Sequence, residues 1–233
     1  AKTPADLELE AFVHGAMCVS FSGRCLLSAY LTGRDANQGA CAQPCRWKYR
    51  LMEETRPGQY FPVEEHDEGT YIMNAKDLCM IDHIPELLAA GVDSLKLEGR
   101  AKSSYYVAVV TNAYRSAVDA YLQHPDGFIL PEWIREEVYK VSHRGYCTGF
   151  FFGKPEAGQR YTDNSYDRSF DVIAIADDWR DGMLYVTQRN RFFAEDTVEL
   201  LAPEQQPISI PLNGNLFDET GERITVANHA MMA

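Results

Sequence analysis

The sequence lacks the features of a membrane-spanning protein and of an exported one. No window approaches 18 uninterrupted apolar residues, and the stretch from Ala1 to Leu7 contains neither a basic segment nor an apolar one. We therefore expect a cytoplasmic protein without a membrane partner. Because the chain begins at Ala1 without an initiator methionine and soon enters a strand-like run, we also expect it to be a fragment of a longer protein.

Positive charge is scarce, and two hydrolase motifs are absent. The 22 Lys and Arg residues face 34 Asp and Glu residues, which gives a formal net charge of −12. A freestanding nucleic-acid-binding domain shows the reverse balance, so any RNA contact must be local or come from elsewhere. Neither the His-Glu-x-x-His of zinc proteases nor the Gly-x-Ser-x-Gly nucleophile elbow occurs.

Apolar periodicity is present and predicts an α/β fold for residues 1–150. Strands are predicted at 7–13, 71–73 and 92–97, and helices at 76–90 and from Ser103 to Tyr121. Strand followed by helix, repeated, predicts a parallel sheet. We therefore expect the C-terminal part of a TIM-type (β/α) barrel, with His14, Asn74 and Glu98 on the face built from the ends of the strands.

The pattern changes after Gln123. One more amphipathic helix is predicted from Glu132 to Lys140, and short apolar runs follow at 171–175, 183–187, 197–201, 208–210 and 223–226. Asp-Gly, Asn-Gly and Pro signals separate these runs, which is typical of a small antiparallel sheet or barrel. Residues 151–233 are therefore predicted to form a small all-β domain.

Six cysteines are the least ordinary feature of the chain: Cys18, Cys25, Cys41, Cys45, Cys79 and Cys147. A chain of this size with no export signal does not need disulfides, so we expect reduced thiols. Four converging thiolates suit an iron-sulfur cluster or a tetrahedral zinc. Zinc knuckles have two to four residues between paired cysteines, a spacing that only Cys41 and Cys45 meet. A cluster is therefore favoured over zinc, and Cys147 is expected to be an inert buried thiol.

Several blocks of the sequence resemble the collagenase-like peptidase family U32. The blocks are Glu10-Ala-Phe-Val-His-Gly-Ala-Met-Cys18 with Ser22-Gly-Arg-Cys25, then Asn74-Ala-Lys-Asp-Leu-Cys79, and Ser94-Leu-Lys-Leu-Glu-Gly-Arg-Ala-Lys-Ser103. They occur in the family's order, and weaker similarity continues through His143-Arg-Gly-Tyr146. Within the family, the chain most resembles the tRNA hydroxylation protein P branch.

The resemblance implies a barrel that lacks roughly its first half in this chain, followed by a small β domain. It also implies a 4Fe-4S cluster with Cys18, Cys25, Cys41 and Cys79 as ligands, and Cys45 as a spare. The implied function is enzymatic hydroxylation of the wobble uridine of tRNA to 5-hydroxyuridine, with prephenate as a required metabolite. Two alternatives remain: a U32-type peptidase, and a zinc-stabilised scaffold without activity.

Five further residues are candidates for the site. His14 ends its strand just before the Cys18 loop and suits proton transfer near neutral pH, although a lone histidine is more often structural. With Glu98 it forms the predicted catalytic pair. Lys96 and Arg100 are predicted to bind a small carboxylate substrate, because a guanidinium offers a bidentate fork. Arg24 is also predicted to bind substrate, since it flanks the thiolates and could contact phosphate or offset the charge of the cluster; the alternative for Arg24 is a solvated surface. The alternative for Glu98 is a simple pairing with Arg100 or with a neighbouring loop.

Overall fold

The computed structural model describes residues 4, 6–17, 26–44, 47, 50–52, 54–55, 57–58, 60–62, 76–100, 102–153 and 169–228. The chain divides into two compact units. The first comprises Ala1–Arg100 and Ser142–Asp167, and the second comprises Ala101–Val141 and Arg168–Ala233. The predicted domain boundary after residue 150 falls inside Ser142–Asp167, the second segment of the first unit. The division into domains at residue 150 therefore stays a prediction.

In its described residues, the first unit contains a four-stranded sheet, a separate pair of strands and two short α-helices. Its elements are β1 (Glu10–Ala16), α1 (Leu27–Thr32), β2 (Arg50–Met52), β3 (Tyr60–Pro62), β4 (Asp77–Cys79), α2 (Ile84–Ala89), β5 (Ser94–Leu97) and β6 (Tyr146–Cys147). The sheet has the order β5-β1-β4-β6, and β2 pairs separately with β3. The pairs β1–β5 and β4–β6 are parallel, whereas β4 runs antiparallel to β1. The sheet is therefore mixed, and the barrel stays a prediction.

The predicted helix over 76–90 is wrong in its first half. Asp77–Cys79 is the strand β4, a 3₁₀ turn follows at Ile81–His83, and only Ile84–Ala89 is α-helical. Strand β1 on one side and β6 on the other provide partners for the backbone hydrogen-bonding groups of this stretch. This pairing overrides the local helical pattern. Pro85 lies in the first turn of α2, where proline is tolerated because its missing N–H needs no partner. The predicted strand at 71–73 and Asn74 lie outside the described residues.

The four-stranded sheet has an apolar face and a polar face, and strand β1 lies inside the sheet between β5 and β4. Leu78 is buried on the apolar face. Directly paired residues of neighbouring strands point to the same face, so the register places His14 and Cys79 together on the opposite face. Asp77 and Tyr146 are paired in the same way, and Asp77 lies two residues before Cys79 on the same strand. The polar face therefore carries His14, Asp77, Cys79 and Tyr146.

The second unit begins with two helices that the sequence predicts closely. They are α3 (Ser104–Gln123) and α4 (Glu132–Lys140). Ser103 begins α3 as an N-cap, since its Oγ accepts a hydrogen bond from the Tyr106 backbone N–H at 3.2 Å. Among the helices of the described parts of the chain, none is long and apolar enough to cross a membrane.

Six strands complete the second unit as antiparallel pairs. They are β7 (Ala174–Arg180), β8 (Met183–Gln188), β9 (Phe192–Phe193), β10 (Thr197–Leu200), β11 (Ile208–Pro211) and β12 (Val226–Ala227). The pairs are β7 with β8, β9 with β12, and β10 with β11. The Lys140 Nζ lies 2.6 Å from carboxylate oxygens of both Glu137 and Glu199, which ties α4 to β10. Burial raises the pKa of Glu137, and the Lys140 ammonium opposes that rise.

Candidate functional site

The C-terminal ends of β1 and β5 lie against each other at Gly15. The Glu98 backbone N–H donates to the His14 carbonyl oxygen at 2.9 Å, which continues the parallel pairing past β5. Gly15 has φ of +135°, and a Cβ there would lie 2.8 Å from the Glu98 carbonyl oxygen. Glycine is therefore required at this position, both by the backbone angle and by the close approach of the 98–100 turn.

His14 occupies the centre of the polar face. The residue is fully buried, and its register partner across β4 is Cys79. Its imidazole lies 5.3 Å from the Tyr146 ring, and the Tyr146 ring stacks on His143 at 4.4 Å with an interplanar angle of 20°. The sequence-predicted histidine and the sequence-predicted cysteine are thus neighbours, beside an aromatic stack that the sequence reasoning did not assign to the site.

A buried ion pair lies on the same face. The Arg144 Nη2 donates to Asp77 Oδ1 at 2.7 Å, and the Arg144 backbone N–H donates to Asp77 Oδ2 at 3.3 Å. Both side chains are almost inaccessible, with relative exposures of 2% for Arg144 and 0% for Asp77. The Asp77 backbone N–H also donates to the Gly145 carbonyl oxygen at 3.0 Å. These hydrogen bonds join the start of β4 to the segment that leads into β6.

Cys41 lies in a loop that local hydrogen bonds hold in place. Its Sγ accepts a hydrogen bond from the Gln43 backbone N–H at 3.3 Å, and the Ala42 backbone N–H donates to the Ser28 Oγ at 2.9 Å. The Arg100 guanidinium packs near the same loop, since its Nη1 lies 2.5 Å from the position that a Cβ on Gly39 would take. The turn at the end of β5 thus reaches the segment that carries Cys41.

The two remaining sequence-predicted side chains that the structure describes make local contacts. The Glu98 carboxylate accepts a hydrogen bond from the Arg100 backbone N–H at 2.8 Å, so it closes its own turn. The Lys96 Nζ lies 3.4 Å from the Glu10 carboxylate, and both side chains are more than half exposed. An exposed pair of this kind contributes little to stability.

The structure describes three of the six cysteines. Cys41, Cys79 and Cys147 form no disulfide among the described residues, and each is of intermediate exposure. The expectation of a buried Cys147 is therefore wrong: its side chain stays partly accessible, with the Met17 Sδ 4.0 Å from its Sγ. The other predicted ligands, Cys18 and Cys25, as well as Cys45 and Arg24, lie outside the described residues. Within the described part of the chain, no three His, Cys, Asp or Glu side chains converge as a metal site.

Comparison with known proteins identifies the family. The model of peptidase family U32 matches residues 1–161, and that of the family's C-terminal domain matches residues 168–233. This chain belongs to peptidase family U32. The resemblance drawn from the sequence blocks is confirmed.

Several curated relatives are similar to this U32 chain. The tRNA hydroxylation protein P1 of Bacillus subtilis is 37% identical over 99% of the chain and 55% of the relative. A protein of Methanocaldococcus jannaschii described as an uncharacterised protease is 46% identical over 77% of the chain and 41% of the relative. A collagenase of Porphyromonas gingivalis is 36% identical over 64% of the chain and 34% of the relative. The chain therefore spans about half the length, or less, of these relatives, and no solved structure matches it.

Sequence reasoning missed the ion pair and the aromatic stack of the U32 chain. Asp77 and Arg144 are 67 residues apart in sequence, so no local pattern links them. The available signal was the His143-Arg-Gly-Tyr146 block, which contains both an arginine and two rings and returns the chain to the sheet after two helices.

Proposed function

We propose that this chain is part of an enzyme that hydroxylates the wobble uridine of tRNA to 5-hydroxyuridine. The observation that carries the proposal is the alignment of 99% of the chain with tRNA hydroxylation protein P1. The collagenase alignment covers 64% of the chain and leaves about a third of it without a counterpart. The extent of similarity therefore favours RNA modification over proteolysis.

A 4Fe-4S cluster held by Cys18, Cys25, Cys41 and Cys79 is part of this proposal. The donor set fits such a group at the two described positions, because Cys41 and Cys79 are partly accessible cysteines that form no disulfide among the described residues. The hydrogen bond from the Gln43 N–H to the Cys41 Sγ also fits, since donors of this kind stabilise cluster sulfurs and tune their potential. A bound cluster would supply one-electron chemistry.

A small carboxylate such as prephenate is the proposed cosubstrate. Arg100 is the better placed of the two predicted binding residues that the structure describes, because its exposed guanidinium lies beside the Cys41 loop and offers a bidentate fork. Lys96 is engaged with Glu10 on the outer part of the sheet. His14, buried next to Cys79, remains the proposed proton-transfer residue, while Glu98 forms the turn that carries Arg100.

Mass spectrometry of tRNA tests the substrate. A strain lacking the gene is complemented with the full-length protein, either as wild type or as Cys79→Ser. We expect 5-hydroxyuridine to return with the wild type and to be lost with Cys79→Ser. Cys147→Ser is the matched control, because Cys147 is a cysteine of the same exposure class outside the proposed ligand set, and it should restore the modification. Unchanged 5-hydroxyuridine in the strain lacking the gene would refute the proposed substrate.

Metal analysis tests the cofactor. The full-length protein is purified anaerobically, and iron, acid-labile sulfide and zinc are measured together with the visible absorption spectrum. About four iron and four sulfide per chain support the 4Fe-4S proposal. Stoichiometric zinc without iron would instead support the zinc-stabilised scaffold.

A peptidase is the second candidate, and one structural observation favours it. His14 and Cys79 are register partners on adjacent strands, and a thiol beside a histidine is the arrangement that a cysteine nucleophile requires. Gelatin digestion by the anaerobically purified full-length protein tests this candidate. If His14→Ala and Cys79→Ser both abolish digestion, the result would establish the peptidase. It would also contradict the assignment of Cys79 solely as a cluster ligand.

A further inference from the structure

Strand β4 is unusually short for an element that carries a candidate ligand. It contains only three residues, Asp77–Cys79, so few backbone hydrogen bonds with β1 and β6 hold its register. At its C-terminal end the Met80 N–H donates to the Val13 carbonyl oxygen at 3.0 Å, and at its N-terminal end the Asp77 N–H donates to the Gly145 carbonyl oxygen at 3.0 Å. Side-chain contacts must therefore help to fix where the strand lies.

The Asp77–Arg144 pair supplies that contact. The carboxylate accepts from both the side chain and the backbone of Arg144, so its two oxygens are held from two directions. A fully buried ion pair contributes little net stability, because desolvation offsets the attraction, but loss of either partner leaves an uncompensated charge. The pair therefore acts mainly by restricting geometry: the two charges tolerate one arrangement of β4 beside the 143–146 segment.

This restriction is transmitted to Cys79 through the extended backbone. Residues two apart on a strand point to the same face and lie roughly 7 Å apart. A shift of one residue in the pairing of β4 would turn Cys79 from the polar face, opposite His14, to the face on which Leu78 now lies. The position of Asp77 therefore determines the direction of the Cys79 thiol.

We propose that Asp77 and Arg144 are positioning residues whose buried ion pair sets the direction and accessibility of the Cys79 thiol. The identity of Cys79 as a cluster ligand rests on the proposed function, whereas the control of its thiol by the ion pair does not. The pair makes no contact with substrate in this assignment, and its effect on the thiol passes through β4.

The first experiment measures thiol reactivity in full-length protein freed of metal by anaerobic chelation. Iodoacetamide alkylation of Cys79 and Cys41 is followed by peptide mass spectrometry in the wild type, Asp77→Asn and the double variant Asp77→Leu/Arg144→Met. The double variant replaces the pair by apolar side chains and is chosen because such replacements often preserve folding. We expect Cys79 to react at least tenfold faster in both variants, while Cys41 changes less than twofold. Equal rates at Cys79 in wild type and the folded double variant would overturn the proposal.

The second experiment uses the protein loaded with its cluster. The half-life of visible absorbance in air and the electron paramagnetic resonance spectrum of the reduced protein are compared for wild type and the double variant. We expect at least a fivefold shorter half-life and an altered spectrum. Glu137→Gln is the matched control, because it breaks a largely buried ion pair with Lys140 in the other unit and should leave both readouts unchanged.

The two experiments separate this inference from the proposed function. A wild-type protein without iron and sulfide would refute the cluster, and the alkylation rates would still decide the role of the ion pair. A wild-type protein with a normal cluster that survives equally long in the folded double variant would refute the ion pair's role and leave the cluster intact.

Discussion

Substitution of Gly15 by alanine perturbs the point where β1 and β5 end together. The added Cβ would lie 2.8 Å from the Glu98 carbonyl oxygen, 2.9 Å from the Glu98 Cβ and 3.3 Å from the Phe12 ring. The Glu98 carbonyl oxygen belongs to backbone that is held in place by a hydrogen bond of 2.9 Å, which the Glu98 N–H donates to the His14 carbonyl oxygen. The clash is therefore relieved only by separating the two strands.

Two contributions determine the size of the effect. A φ of +135° strains any residue with a Cβ, by about 1–3 kcal/mol. The overpacking against Glu98 adds about 1–3 kcal/mol. We expect Gly15→Ala to lower the free energy of unfolding by about 2–6 kcal/mol, a large part of the total stability of a typical domain.

Urea unfolding of the purified protein, followed by circular dichroism, measures this loss. Gly91→Ala is the matched control, because Gly91 also has a positive φ, of +79°, but an added Cβ would meet nothing within 4 Å. Its expected loss is about 1–2 kcal/mol, from backbone strain alone. A loss for Gly15→Ala no greater than that for Gly91→Ala would show that the close approach to Glu98 is not as the structure has it.

Three further predictions concern the second unit. Ser103→Ala removes the N-cap of α3, where Oγ accepts from the Tyr106 N–H, and should lower stability by about 1 kcal/mol in urea unfolding; no loss would contradict the cap. Burial raises the pKa of Tyr105 to about 12 from its ordinary 10.0. The folded protein therefore retains a proton that the unfolded chain releases, so stability should fall as pH rises above 10, and Tyr105→Phe should remove that part of the slope; an unchanged slope would contradict the raised pKa. Arg115→Ala breaks an exposed pair with Asp119 one helical turn away, and thermal unfolding should show a loss below about 0.5 kcal/mol; a loss above 1.5 kcal/mol would contradict this weak contribution.

Elements whose pattern is local were predictable from the sequence. The helix predicted from Glu132 to Lys140 has those bounds in the structure, and the helix predicted from Ser103 begins at Ser104 with Ser103 as its cap. Most of the short runs of the β domain also fall on strands, because turn residues separate them. In these segments the period of the apolar residues and the capping or turn chemistry point to the same structure.

Elements that depend on distant partners were not predictable in the same way. The stretch Asp77–Cys79 continues a helical pattern along the chain, yet it is a strand because β1 and β6 provide hydrogen-bond partners on both sides. The Asp77–Arg144 pair joins residues 67 positions apart, and one sequence contains no signal of such a pairing. The aromatic stack at His143 and Tyr146 lies within one short block, but its place beside His14 depends on the pairing of β4 with β6 and emerges only from the structure.

The reversed direction of β4 explains how the candidate residues come together without lying at one end of parallel strands. In an all-parallel sheet, Cys79 and Glu98 would both follow the C-terminal ends of their strands. In the mixed sheet, β4 instead places Cys79 directly opposite His14, while β5 brings the Glu98 N–H to the His14 carbonyl from the other side. His14 is thus held between the thiol-bearing strand and the turn that carries Arg100. Changes to β4 or to the 98–100 turn should therefore both alter the position of His14. The proposed cluster site and the proposed substrate site thus depend on this same residue of β1.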